Sequence, residues 1–547
     1  MAAGARGAWL IYNRGLSAVS IGGNVGEVLH RVEAQSAGIG RRSGIQRAVR
    51  GATPLRRAAA VGLTASLAMI AGCGNSYRPV VSAIGVVGPA AQPPKFAIAV
   101  SSPTKIPVSG PITFVGAWSP TTTYSINQGV GYQGAQYVSL QNANIGQNPS
   151  TATAYWSQLS NGLLTMVDFS GDTVLVTAPM GLNPYYLALD TVGHTAFTLN
   201  SDTTVTSWGI TTSYIPGSVL YTTLLAGASP VSIYPTQSLT YIADPGVNAV
   251  DQLLGSPPAL KQELPVATAY TPSYVVGQST SSRFYTISTA TNGGPGQVEA
   301  IENAISLTTT PTISATLPVG RGPVYGVMTL DDRRAFILNQ TDGTVSVINV
   351  QTNALDTPVS TIPVGVRPVW ADIASAMDEL VVVNEGTGTS QGSVTLINIP
   401  LCSATALQTN PNCDPTNPID ATTFGQVVTT IPVGVNPIMV SVLSDFSRAY
   451  VANAGNLSLP CGTGAVGSGT TLCSVSVVNL TSNTVTATIP INGHPSWIAT
   501  TNSAPTGKVY VVCNDSQVMT VIETDTDTVD TTIPLQGYGV SVRVTQP

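Results

Sequence analysis

The rarest reactive side chains in this 547-residue chain are six cysteines and three histidines, and their spacing limits the chemistry on offer. Cys402 and Cys413 bracket one segment with ten residues between them, and Cys461 and Cys473 bracket another with eleven. In an oxidising compartment each pair can close its own loop as a disulfide; in a reducing one all four are free thiols. Closing a loop of that length is worth about 3 kcal/mol in the chain-entropy picture. Cys513, inside Val511-Val512-Cys513, reads as a buried strand residue. No CxxC spacing occurs, so neither a zinc centre nor any other cofactor is expected. His30 lies near the start of the chain, and His194 and His494 fall among turn residues and are expected to be solvated. No GxSxG elbow, phosphate loop or HExxH is present, and no catalytic residue is assigned.

Charged residues make up 9% of the chain, against roughly 25% in average globular proteins, and hydrophobic residues 43%. Low charge with ample apolar content argues against disorder. Nine of the 21 basic residues precede Cys73, and the remainder of the chain carries 12 basic against 25 acidic residues. Such a body lacks the electrostatic footprint of a nucleic-acid partner or an anionic membrane surface.

Arg56 and Arg57 precede AAAVGLTASLAMI, a 13-residue apolar run that leads into Ala71-Gly72-Cys73. That run is too short to span a bilayer and fits the core of a signal peptide. Ile70-Ala71-Gly72-Cys73 resembles the bacterial lipobox, which implies cleavage after residue 72 and lipidation of the Cys73 thiol. Gly74, where an Asp would imply inner-membrane retention, implies sorting to the outer membrane or cell surface. Residues 1–72 are thus a signal region. A start at Val49 would leave a lipoprotein signal peptide over 49–72 and place 1–48 outside the translated protein; the alternative is a long n-region. Residues 73–95 are rich in Pro and Gly and read as a tether.

The cysteines and histidines sit within a repeat. IPVGVNP at 431–437 recurs as IPVGVRP at 362–368, LPVGRGP at 317–323 and IPINGHP at 489–495, with weaker copies ending at Pro184, Pro230 and Pro272. A period near 45 residues with four short strands per repeat is the signature of propeller blades. In the unit that begins at Pro323, strands are expected at 324–330, 335–339 and 344–350, with a fourth ending at Pro363. Asp331-Asp332 and Thr341-Asp342-Gly343 supply the hairpin tips. These repeats, with AYVAN at 449–453 and SVSVVNL at 474–480, resemble the YVTN-repeat β-propeller family, surface or secreted proteins that often have seven blades. Strand arithmetic gives eight here: a strand at 540–544 joins three at 96–100, 163–169 and 173–177 to close the ring. The expected fold is all-β, a propeller over 96–112 and 161–547. Its inner strands hold two ionisable residues, Asp372 and Arg543, with Asp190, Asp331 and Asp445 at strand ends.

Residues 113–160 break the pattern. The segment resembles the carbohydrate-binding modules of families 5 and 12, chitin- and cellulose-binding β domains, through Trp118, Tyr124, Tyr132, Gly134, Tyr137, Pro149 and Trp156. The resemblance implies that these aromatics, with Tyr155, either bind sugar or form the module core. Large side chains must fill so small a core, so Trp118, Tyr124, Tyr137 and Trp156 are expected inside and Tyr132 and Tyr155 outside. Gln147-Asn148 and Gln141-Asn142 stand where chitin- and cellulose-binding members carry exposed aromatics, which implies weak binding. An insertion between the second and third strands of a blade projects from the face that carries the crossing loops.

The expected function is that of a lipid-anchored cell-surface propeller that displays this module for polysaccharide binding or adhesion. Its partner would be a glycan, and its only membrane contact the lipid. The alternatives are a hydrolase or lactonase acting on sugars, and a protein–protein scaffold.

Overall fold

The computed structural model describes residues 96–104, 112–210, 219–255, 257–400, 422–501 and 507–545. Cys73, Cys402 and Cys413, the signal region and the tether lie outside the described residues. Among the described residues there is no helix, so none is long and apolar enough to cross a membrane.

Eight antiparallel sheets carry the repeats. The blade read from Pro323 has β20 (Pro323–Met328), β21 (Arg334–Asn339), β22 (Thr344–Asn349) and an outermost pairing by β23 (Ala354–Leu355) and β24 (Thr361–Pro363). Asp332 and Gly343 at its hairpin tips take positive φ, at 57° and 64°. The ring closes through a composite blade in which β37 (Tyr538–Val544) is the inner strand, followed by β1 (Phe96–Ser102), β6 (Asn161–Asp168) and β7 (Thr173–Leu182). Ala97 opposes Val544 and Ser102 opposes Tyr538, while Phe96 N–H donates to Thr545 Oγ1 at 2.9 Å. Numbering from this closing blade, blades 2 to 8 follow in chain order, beginning at β8 (Pro184–Leu189), β12 (Ser232–Pro235), β16 (Tyr270–Val276), β20, β25 (Pro368–Ala374), β29 (Pro437–Val442) and β33 (Pro495–Thr500).

One polar bracket explains much of the repeat. In four crossings the loop Gly packs directly on an Asn that ends the second strand of the next blade. A Cβ on Gly181, Gly320, Gly365 or Gly434 would fall within 2.7 Å of Cγ in Asn200, Asn339, Asn384 or Asn453 respectively. The Asn Nδ2 then donates to hydroxyls on the third strand: Asn339 to Thr344 and Ser346, Asn384 to Ser393 and Thr395, Asn453 to Ser474 and Ser476. Buried polar groups must be paired, so the loop glycine, the Asn and the Ser/Thr recur together. Between blades the packing is apolar: Tyr450, Val477, Trp497 and Val511, for example, share one buried cluster across blades 7 and 8.

The segment between β1 and β6 forms its own sheet of β2 (Thr113–Ala117), β3 (Gln128–Tyr132), β4 (Ala135–Ser139) and β5 (Trp156–Gln158), with β2 and β3 parallel. It meets the propeller at the crossing into blade 2. Ser102 Oγ donates to Asn183 Oδ1 at 2.8 Å, Asn183 N–H to Ser160 O at 2.9 Å, and Thr104 Oγ1 to Gln158 O at 2.7 Å.

Candidate functional site

The inner strands carry a feature that composition hides. Six of the eight begin at or near a crossing Pro with a register shift, and the residue two past the Pro is aromatic in five of these: Tyr186, Tyr274, Tyr325, Trp370 and Trp497. A bulge re-aims the side chain beyond it. Here the rings meet about the propeller axis, with Tyr274–Tyr325 centroids 4.9 Å apart, Tyr325–Trp370 stacked at 4.0 Å, Trp370–Trp497 at 5.4 Å and Trp497–Tyr186 at 5.7 Å. The Arg543 guanidinium lies 4.2 Å over the Trp497 ring. This collar escaped the sequence reading; the constant offset of two from the crossing Pro is the signal that could have found it.

Electrostatics in the collar follow from depth. Burial, and then the neighbouring Tyr186 and Tyr325, push the Tyr274 hydroxyl well above its ordinary value, and burial does the same to Tyr325. Both are neutral hydrogen-bonding groups at working pH. Burial raises Asp372 to about 6, opposed by the Val442 and Ile373 N–H groups that its oxygens accept at 2.9 and 2.8 Å. Beside the collar a cavity of about 290 Å³ opens among the inner strands of blades 1 to 4, touching Tyr186, Asp190, Tyr234, Tyr274 and Arg543.

Three other shifted carboxylates belong to the polar bracket. Asp244 stands where other blades have the bracket Asn, and Asp251 where they have Ser346 or Ser476. Burial raises both, and the charge of Asp244 raises Asp251 further. In blade 4 Ser288 and Glu299 make the same substitution, with Ser288 Oγ donating to Glu299 at 2.8 Å. These acids are fold elements inside blades.

In the inserted module Tyr124, Tyr137 and Trp156 are buried around Val130. Trp156 Nε1–H donates to Gln147 O at 2.9 Å, and Trp156 meets Tyr124 edge-on at 5.1 Å. Tyr132 and Tyr155 are half-buried at the edge of this cluster. Trp118 is also half-buried, packed against the core cluster and edge-on to Tyr132 at 5.3 Å. Tyr132 Oη accepts from Asn148 Nδ2 at 2.9 Å. Gln141 and Gln147 are likewise half-buried.

Cys461 and Cys473 form a disulfide with Cα atoms 5.5 Å apart, closing the loop between the second and third strands of blade 7. Expected to be solvated, His494 is instead 7% exposed. The crossing into blade 8 turns its ring under this loop, placing Nδ1 2.6 Å from Ala454 O and 3.4 Å from Cys473 Sγ. The donor atoms of Cys461, Cys473 and His494 lie within 4.8 Å of one another; a metal would need both sulfurs as thiolates, which the disulfide precludes. His194 is exposed at its hairpin, and Cys513 is buried opposite Pro495.

No family model matches the chain, and no curated protein matches it. Solved structures do. NirN, a dihydro-heme d1 dehydrogenase in complex with DHE, aligns at TM-score 0.50 and 11% identity over 70% of this chain and 72% of its own. AztD from Citrobacter koseri aligns at 0.44 and 10%, over 70% and 94%, and the Kuenenia stuttgartiensis hydrazine synthase at 0.41 and 15%, over 56% and 85%. At such identity the likeness shows the β-propeller fold alone.

Proposed function

We propose that this chain is an exported, lipid-anchored propeller of the YVTN-repeat kind that captures polysaccharide at the cell surface through its inserted module. The observation that carries the reading is the way the module is held. Hydrogen bonds from Thr104 to Gln158 O and from Asn183 N–H to Ser160 O hold its ends at the crossing face, and its half-buried rings Trp118, Tyr132 and Tyr155 lie at the rim of its core. Rigid presentation lowers the ordering cost of binding, and planar rings suit the C–H faces of a pyranose. Asp244, Asp251 and Glu299, whose carboxyls burial raises, occupy fold positions inside blades, which favours binding over catalysis. The test uses the full chain in depletion assays on insoluble chitin, cellulose and heteropolymeric glycans. Retention on at least one of them supports the reading, and recovery of all the protein in every supernatant overturns it. The anchor is tested separately: Cys73→Ser should release the protein from membranes.

A further inference from the structure

Arg543 is a half-buried cation with no ion-pair partner among the described residues. Of its five N–H donors, Nε–H goes to Leu187 O at 3.2 Å, and the guanidinium carbon sits over Trp497. The acids of the inner strands and their ends that the sequence singles out near it, Asp190 beside the same cavity and Asp372 in the collar, accept hydrogen bonds from other groups. Asp190 Oδ1 accepts the His194 N–H of its own hairpin at 2.7 Å, and Asp372 accepts two backbone N–H groups. A charge withdrawn from water demands a counter-charge or full hydrogen bonding, and a ring face answers only part of that demand. Directly beside the guanidinium lies the 290 Å³ cavity, walled by the rings of Tyr186, Tyr234 and Tyr274.

We propose that this cavity binds a carboxylate-bearing sugar ring, a uronic acid. Its carboxylate would take the planar fork of Arg543 in a paired geometry, and its pyranose face would lie on the tyrosine wall. The neutral Tyr274 hydroxyl can donate to ring oxygens, and Asp190 can accept from a sugar hydroxyl. The volume stands at the lower end of small-molecule sites, which run from about 300 Å³, and limits the occupant to about one ring. The cavity is bounded by the first hairpin of blade 2 and the ends of β12 and β37. That is the face away from the module, so the site is independent of the proposed glycan capture.

Calorimetric titration of the full chain with glucuronate, glucose and inorganic phosphate tests this. Glucuronate should bind at one site and at least about tenfold more tightly than glucose, because a charged hydrogen bond is at stake. Arg543→Gln should weaken glucuronate about tenfold or more, and Tyr132→Ala in the module should leave it unchanged. Equal affinity for glucose and glucuronate, tighter binding of phosphate, no binding of glucuronate, or loss of it in Tyr132→Ala would each overturn the proposal. Should Arg543→Gln fail to fold, the comparison of the three ligands on the unaltered chain decides alone.

Discussion

Gly434 and Asn453, nineteen residues apart, touch so closely that a Cβ on the glycine would lie 2.5 Å from Asn453 Cγ and 2.7 Å from its Cβ. Gly434 N–H donates to Asn453 Oδ1 at 3.1 Å, and Asn453 Nδ2 donates to Ser474 and Ser476. The same interval separates Gly320 from Asn339 and Gly365 from Asn384. The two halves of the repeat, PVG and YVAN, are therefore one structural unit that joins a loop to the next blade.

Gly434→Ala forces that contact apart at a position where the Asn is pinned by three hydrogen-bonding groups. Overpacking of this kind costs about 1–3 kcal/mol. Asn453→Ala leaves Ser474 and Ser476 without their donor and costs a similar amount. Urea midpoints of both variants should fall. The double variant should lose less than the sum, because alanine at 453 makes room for alanine at 434. Strict additivity would mean that the contact is not where the strain lies.

Blade 3 gives the bracket a pH dependence. With Asp244 and Asp251 buried together, desolvation holds a proton on the pair above the ordinary carboxylate range. The unfolded chain releases that proton near pH 4. Above that pH the native state binds more protons than the unfolded state, so the contribution is fully present below pH ~4. It is lost as pH rises, at up to about 1.4 kcal/mol per pH unit for one proton, until the folded pair itself ionises. Asp251→Ser, which restores the residue type of Ser346 and Ser476, should flatten this slope. Urea unfolding of both proteins from about pH 5 to about pH 8 checks it; parallel curves would remove the pair from the explanation.

The disulfide closes a loop against the buried His494. Cys461→Ser opens that loop while keeping the buried Cys473 side chain, and should lower stability by about 2–4 kcal/mol. Mass mapping of the unaltered protein should return a Cys461–Cys473 peptide pair. Any other partner for either residue would contradict the structure.

The fold was legible because its signals are local and repeated. Crossing prolines, Asp and Gly hairpin tips and alternating Val/Ile runs mark each blade, and the spare strand near Val544 completed the one that holds Phe96. The site was less legible. Tyr186, Tyr274, Tyr325, Trp370 and Trp497 are far apart in sequence and share only an offset from proline; what gathers them is the bulge and the closure of the ring. His494 misled because a turn residue is usually wet, whereas here a neighbouring blade's long loop covers it. Asp251 looked unremarkable until register placed it opposite Ile242, in the Ser position of the bracket.

Within the module, position should separate folding from binding. Trp156 is 2% exposed, hydrogen-bonded through Nε1 to Gln147 and packed on Tyr124. Trp156→Ala should cost about 3–5 kcal/mol, more than a domain of this size can spare. The module should then become protease-sensitive while the propeller resists. Tyr132 is half-buried, its hydroxyl reached by Asn148 and Gln133 at the surface. Tyr132→Ala and Tyr155→Ala should leave protease resistance intact. If their rings face sugar, each should reduce affinity for a retained glycan by up to about tenfold, the worth of a stacked ring beyond its area. Limited proteolysis and depletion assays on the same preparations read the two effects separately. Glycan affinity unchanged in both tyrosine variants, with the module intact, would place sugar contact elsewhere on the crossing face.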